Sequence, residues 1–200
     1  MLDAALRERR GVVFASAHLG PWETDAATLA CAGLPLTVVA REPYDPRLTR
    51  LYERLRGGQG VRVVFRGAPG AATTMLRALR AGGMLGIPMD IASRVPSVDV
   101  PLLGSLARTP VGPARLALRT AAAVVVGTAA PNDLACSARD DDAPRHAISA
   151  TRILSADLAA DADGERLLTT RINDELSRRI LALPEEWVWM HPRWAAPALR

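Results

Sequence analysis

The chain contains no lysine: all 25 of its basic residues are arginine, set against 21 acids for a net charge of +4. A lysine Schiff base, and with it ordinary pyridoxal chemistry, is excluded. Aromatic residues are scarce at 4% of the chain, with two Phe, two Tyr and four Trp. The arginines are scattered among acids, so nothing resembles the basic, aromatic-lined groove that single-stranded nucleic acid requires. Cys31 and Cys136 lie far apart, with neither CxxC nor Cys/His spacing. They read as two reduced structural thiols, which fits a reducing compartment. No apolar run approaches the roughly 20 residues of a spanning helix, and no signal-peptide pattern opens the chain. A G-x-S-x-G nucleophile elbow is missing, which disfavours an α/β serine hydrolase or thioesterase. Three widely spaced His supply no recognisable metal-ligand set, and no internal repeat suggests a solenoid.

What is present is enough for one domain over residues 1–200, since 49% hydrophobic content can bury a core without staples. The stretch around which the rest is organised is Gly11 to Glu23, GVVFASAHLGPWE. Val12 to Ala15 is too apolar for a loop and too short for a helix, so it reads as a buried strand. Beyond His18, Gly20 can cap and Pro21 suits the first helical position. Glu23 falls in the first turn, where the helix dipole favours an acid. An imidazole at a strand end, with a carboxylate five positions on that the tight turn can fold back towards it, is the arrangement of a general base and an orienting acid.

Further along, apolar strands and amphipathic helices alternate. Helices are expected at 21–32, 47–56 (stopped by Gly57-Gly58) and 71–80, with strands at 36–40, 61–65 and 83–89. This is an α/β pattern: a mixed, mostly parallel central sheet flanked by helices. Ligands gather at the carboxyl ends of such strands, and His18, Arg41 and Asp90 all fall there. Residues 91–109 read as a long ordered loop with one short strand at 98–100. A helix at 111–120 carries Arg115 and Arg119 one turn apart, read as a solvated face. A strand at 121–129 is followed by a polar excursion over 131–145, whose Asp140-Asp141-Asp142 reads as a solvated loop. A strand at 147–154 is expected to return antiparallel. The last helix, 164–183, has an apolar stripe of Leu167, Leu168, Ile172, Leu176, Ile180 and Leu183. Trp187, Trp189 and His191 alternate as in a half-buried strand. With Trp194 and Arg193, the other reading is a membrane-interface belt.

His18-Leu19-Gly20-Pro21-Trp22-Glu23 fits the H-x4-D/E signature of glycerolipid acyltransferases, and its fuller H-x-G-x-W-E form resembles the lipid A biosynthesis (lauroyl/myristoyl) acyltransferase family. Four further blocks agree in order: Arg41 with Arg56 to Gly60, Gly82 to Asp90, Val100 to Ala114, and Pro184 to Trp194. Asp45 and Ile91 depart from residues common in that family, which bears on substrate identity. Members usually carry a longer, anchor-bearing N-terminal region, so this chain is expected to be a fragment, a truncated member or a short form without that anchor.

The resemblance implies a glycerol-phosphate acyltransferase-like fold and transfer of a fatty acyl chain from an acyl carrier protein or CoA thioester to a hydroxyl of a glycolipid such as a lipid A precursor. It needs no cofactor beyond the donor and no metal. His18 is the implied base, and Glu23 or Asp90 would hold its tautomer. Arg56, Arg41, Gly20 and Trp22 are the candidate substrate contacts, and backbone N–H groups at the start of the Pro21 helix are candidates for the oxyanion. Peripheral contact with the cytoplasmic face of the inner membrane follows as an expectation. The alternative is a catalytically inactive or truncated domain that binds lipid or acyl carrier protein.

Overall fold

A computed structural model of the protein describes residues 2–131 and 146–194. The strands β1 (Val12–Ser16), β2 (Leu36–Ala40), β3 (Arg62–Phe65), β4 (Met84–Pro88), β7 (Ala123–Pro131) and β8 (His146–Ile153) form one sheet. Its order is β3-β2-β4-β1-β7-β8. The first five run parallel and β8 antiparallel. Strands covered on both faces carry unbroken apolar runs rather than alternation, as Val12-Val13 and Val124-Val125-Val126 show.

The pleat then divides the core. Val12, Phe14, Leu36, Met84 and Val125 face α1 (Leu2–Arg7) and α2 (Trp22–Cys31). Val13, Ala15, Leu85, Val124 and Val126 face α4 (Ala71–Arg80), α5 (Gly112–Thr120) and α6 (Ala162–Ala182). The remaining helix, α3 (Pro46–Gly58), contributes no buried residue.

Several expectations are corrected. The paired glycines do not stop α3. It runs through Gly58, is closed by the Gln59 and Val61 N–H groups on the Arg56 carbonyl, and turns at Gly60. The expected long loop holds two strands, β5 (Ser97–Leu102) and β6 (Ser105–Pro110), joined through Leu103 and Gly104 at φ 51° and 80°. Two successive left-handed residues make the tight turn a hairpin requires. Pro101 and Pro110 obscure the signal, yet a two-stranded ribbon tolerates them because its outer N–H positions need no partner. The hairpin is pinned to α6, where Asn173 Nδ2 donates to the Pro101 carbonyl (2.9 Å) and Leu103 N–H to Ser177 Oγ (2.9 Å).

Arg115 does not merely solvate its helix: it donates three bonds of 2.8–3.0 Å to the buried Glu165 of α6. Leu167 lies off the α6 stripe and is exposed, while buried Thr169 and Asn173 lie on it. Residues 187–191 form no strand. A short 3₁₀ turn, Pro184–Glu186, leads to a single bridge between Trp187 and Leu19. Cys136 and Asp140 to Asp142 lie outside the described residues. Among the described residues no helix is long and apolar enough to cross a membrane.

Candidate active site

The site is a consequence of strand register. Parallel pairing of β1 with β4 sets Val12 opposite Met84 and Ser16 opposite Pro88, an offset of 72 residues. Two positions beyond the last pair, the same offset brings His18 to Asp90. The His18 N–H donates to Asp90 Oδ2 (2.9 Å), and its Nδ1 stands 2.9 Å from Oδ1. Trp187 Nε1 donates to Oδ2 at 2.8 Å.

Asp90 is fully buried, whereas the His18 side chain is 19% exposed. Burial alone would push the Asp90 carboxyl up. The hydrogen bonds and charge of His18, together with the Trp187 indole, outweigh it and hold Asp90 below the ordinary carboxylate value. An ionised Asp90 can only accept, so Nδ1 carries the hydrogen; in the neutral form of the ring the lone pair is then on Nε2. Nε2 has no hydrogen-bond partner among the described residues.

The closing segment holds this arrangement from the other side. Gly20, at φ 63°, turns the chain so that its N–H donates to the Glu186 carbonyl (3.1 Å), and Val188 N–H donates to the His18 carbonyl (3.3 Å). Arg193 is buried and donates to the Arg108 carbonyl and to Thr109 Oγ1, both at 2.8 Å, tying the segment to β6. Burial draws its guanidinium below the usual value, against the nearby Asp90 charge. Trp187 therefore positions Asp90, a role that its alternation with Trp189 does not disclose. Trp189 remains exposed.

Glu23 does not fold back onto the imidazole. It is exposed and turned to Arg56, which donates to it at 3.1 and 2.5 Å. The Trp22 ring meets His18 edge-on with centroids 5.2 Å apart. His18, Trp22, Glu23, Arg41 and Arg56 all line one cavity of about 430 Å3. Gly20 is not part of its wall.

Phe14, Leu29, Val38, Ile87 and Leu116 give that cavity an apolar lining, and Arg66 and Arg115 also reach it. Gly127 leaves the space occupied by Phe14, since a Cβ there would lie 2.3 Å from the ring. The volume is in the range of pockets that enclose small molecules.

Asp25 is the unexpected wall residue. Its Oδ2 accepts the Ala129 N–H at 3.1 Å, beyond the point where β7 pairs with β1, and burial pushes its carboxyl up to about 6. The folded form therefore holds a proton that the unfolded chain releases near 3.8, so stability falls as pH rises from there to about 6. Asp25→Asn keeps the acceptor and removes the charge. It is expected to stabilise the fold at neutral pH by about 1–2 kcal/mol, the full shift of about 3 kcal/mol being reduced by partial solvation. Denaturant titrations should show the gain near pH 8 and none below about pH 4.

Residues 1–196 match the model of the bacterial lipid A biosynthesis acyltransferases. Phosphatidylinositol mannoside acyltransferases of two Mycobacterium tuberculosis strains, CDC 1551/Oshkosh and ATCC 25618/H37Rv, are each 26% identical over 197 residues. The match covers 98% of this chain and 58% of either relative. With its match extending from the first residue almost to the last, the chain belongs to the bacterial lipid A biosynthesis acyltransferase family.

Proposed function

We propose that this chain transfers a fatty acyl group from an acyl carrier protein or CoA thioester to a sugar hydroxyl of a glycolipid, with His18 as general base. The observation that carries the reading is the Asp90–His18 pair on the wall of an apolar cavity, with Nε2 unpartnered among the described residues. Nε2 takes the hydroxyl proton as the alkoxide oxygen attacks the thioester carbonyl. The tetrahedral intermediate then expels the thiolate, which recovers the proton from the imidazolium. Asp90 stays ionised throughout and stabilises the charged ring.

No side chain caps α2, so its first-turn N–H groups are open to the oxyanion. The Trp22 N–H is already taken by the Gly20 carbonyl at 3.0 Å and the Asp25 N–H by the Pro21 carbonyl at 3.1 Å, leaving those of Glu23 and Thr24. Acceptors of the lipid A precursor or phosphatidylinositol mannoside class offer the hydroxyl. Incubating the protein with labelled acyl thioesters and membrane lipid extract, then weighing the products, tests the assignment. Acylated glycolipid supports it, free fatty acid alone marks a hydrolase, and no turnover leaves a lipid-binding or carrier-binding domain.

Work at the cytoplasmic face of the inner membrane requires a docking face, and α3 supports one. Leu48, Leu51, Tyr52 and Leu55 form a single stripe at helical spacing, 39–55% exposed, beside Arg47, Arg50 and Arg54. An apolar stripe bordered by cations suits an anionic bilayer surface. Leu51→Glu with Leu55→Glu is expected to lower acylation of vesicle-borne acceptor by about tenfold or more, with detergent-dispersed acceptor turned over unchanged. Equal rates on vesicles would remove α3 from this role.

A further inference from the structure

The pairing of β2 with β3 sets Ala40 opposite Phe65. The next positions, Arg41 and Arg66, are therefore level neighbours just past the strand ends, and Arg66 N–H donates to the Ala40 carbonyl at 2.9 Å. Both side chains reach the wall of the active-site cavity. The other two arginines of that wall are neutralised, Arg56 by Glu23 and Arg115 by Glu165. Arg41 and Arg66 have no carboxylate partner among the described residues. Arg41 rests on the Tyr44 ring, 4.4 Å from its centroid, and donates to the Tyr44 hydroxyl, while Arg66 donates to Ser93 Oγ. Burial and the like charge of Arg41 both draw the Arg66 guanidinium below its usual value.

Like charges side by side across two strands destabilise the sheet unless something between them is negative. Here two permanently charged forks and a hydroxyl converge on one edge of a cavity, with no carboxylate among the described residues paired to either fork. A phosphate ester has the charge and oxygen geometry to do so. The geometry points to a phosphate-binding subsite formed by Arg41, Arg66 and Ser93, holding a phosphate ester of a substrate whose reacting atoms lie at His18. Strand order gives the reach: β2 is two spacings and β3 three spacings from β1, about 10–14 Å at the usual strand separation. Two substrate classes carry a phosphate set apart from the reacting atoms: a pantetheine arm, with its phosphate at the far end from the thioester, and a glycolipid, with its phosphodiester removed from the sugar hydroxyl.

The inference rests on the acyl-transfer reading for its substrates, but binding alone can test it. Calorimetry would compare phosphopantetheine with pantetheine, and inositol phosphate with inositol, on the unaltered protein and on Arg41→Gln/Arg66→Gln. The phosphorylated probe of one pair should bind about tenfold tighter or more, weaken with salt, and lose that preference in the variant. The first pair identifies the donor as the source and the second the acceptor. No preference in either pair, no binding of any probe, or a preference that survives in a variant of unchanged thermal stability overturns the subsite. None of these readouts needs turnover, so an inactive protein that still discriminates phosphate would sink the acyl-transfer reading and leave the subsite standing.

Discussion

Replacing His18 with alanine is expected to lower acyl transfer by about 10²–10⁴-fold, the usual contribution of a positioned base, with little loss of fold. Thioesters carry a good leaving group, so deprotonating the hydroxyl is the step that most needs a protein group. In the proposed mechanism Nε2 takes that proton, because Nδ1 faces Asp90 at 2.9 Å. The substitution deletes one of the three donors on Asp90 and keeps the His18 backbone N–H and the Trp187 indole. The stability cost should therefore be about 1 kcal/mol. Single-turnover assays at saturating acceptor isolate the chemical step. A rate within tenfold of the unaltered protein, at equal thermal stability, would show that another group takes the proton.

The contrast between Glu23 and Asp90 shows which kind of information the sequence carries. Local patterns were readable: β2 and α4 occupy the residues expected from their apolar spacing, and the polar ends of β1, β2 and β4 pointed to one sheet edge. Glu23 and Asp90 stood as alternatives for the acid: Glu23 lies only five residues from His18, but the first turn of α2 directs that side chain outward to an arginine 33 residues downstream. Asp90 reaches His18 only because β4 inserts between β2 and β1 and pairs at an offset of 72. Neither strand order nor register is a local property. Arg66 escaped notice for the same reason, since nothing near it in sequence shows that it stands level with Arg41. The role of Trp187 is likewise tertiary: its indole is spent on a carboxylate 97 residues away. The hairpin of β5 and β6 was hidden by prolines that its edge position tolerates.

Asp90 should prove the most sensitive residue of the protein, because on the proposed mechanism it serves the chemistry as well as the fold. Asp90→Ala leaves three donors, two of them on His18 and one on Trp187, facing a fully buried space. Unpaired buried groups of this kind cost about 3–5 kcal/mol, enough to unfold a marginal domain. Asp90→Asn keeps the shape and isolates the chemistry. An amide offers a single acceptor oxygen, releases the Nδ1 tautomer and gives an imidazolium no counter-charge, so the rate should fall on the order of 10⁴-fold. Acid titration separates the structural part. A carboxyl held below its ordinary value contributes stability that is complete above the unfolded value of 3.8 and disappears as pH falls through the folded one. The unaltered protein should therefore lose stability in that acid range, and Asp90→Asn should lose measurably less. Glu23→Gln serves as the control, because its carboxylate meets Arg56 and not the imidazole. It should leave the pH dependence of turnover in place while Asp90→Asn moves it. A shifted profile for Glu23→Gln and an unmoved one for Asp90→Asn would transfer the orienting role from the neighbouring strand back to the helix.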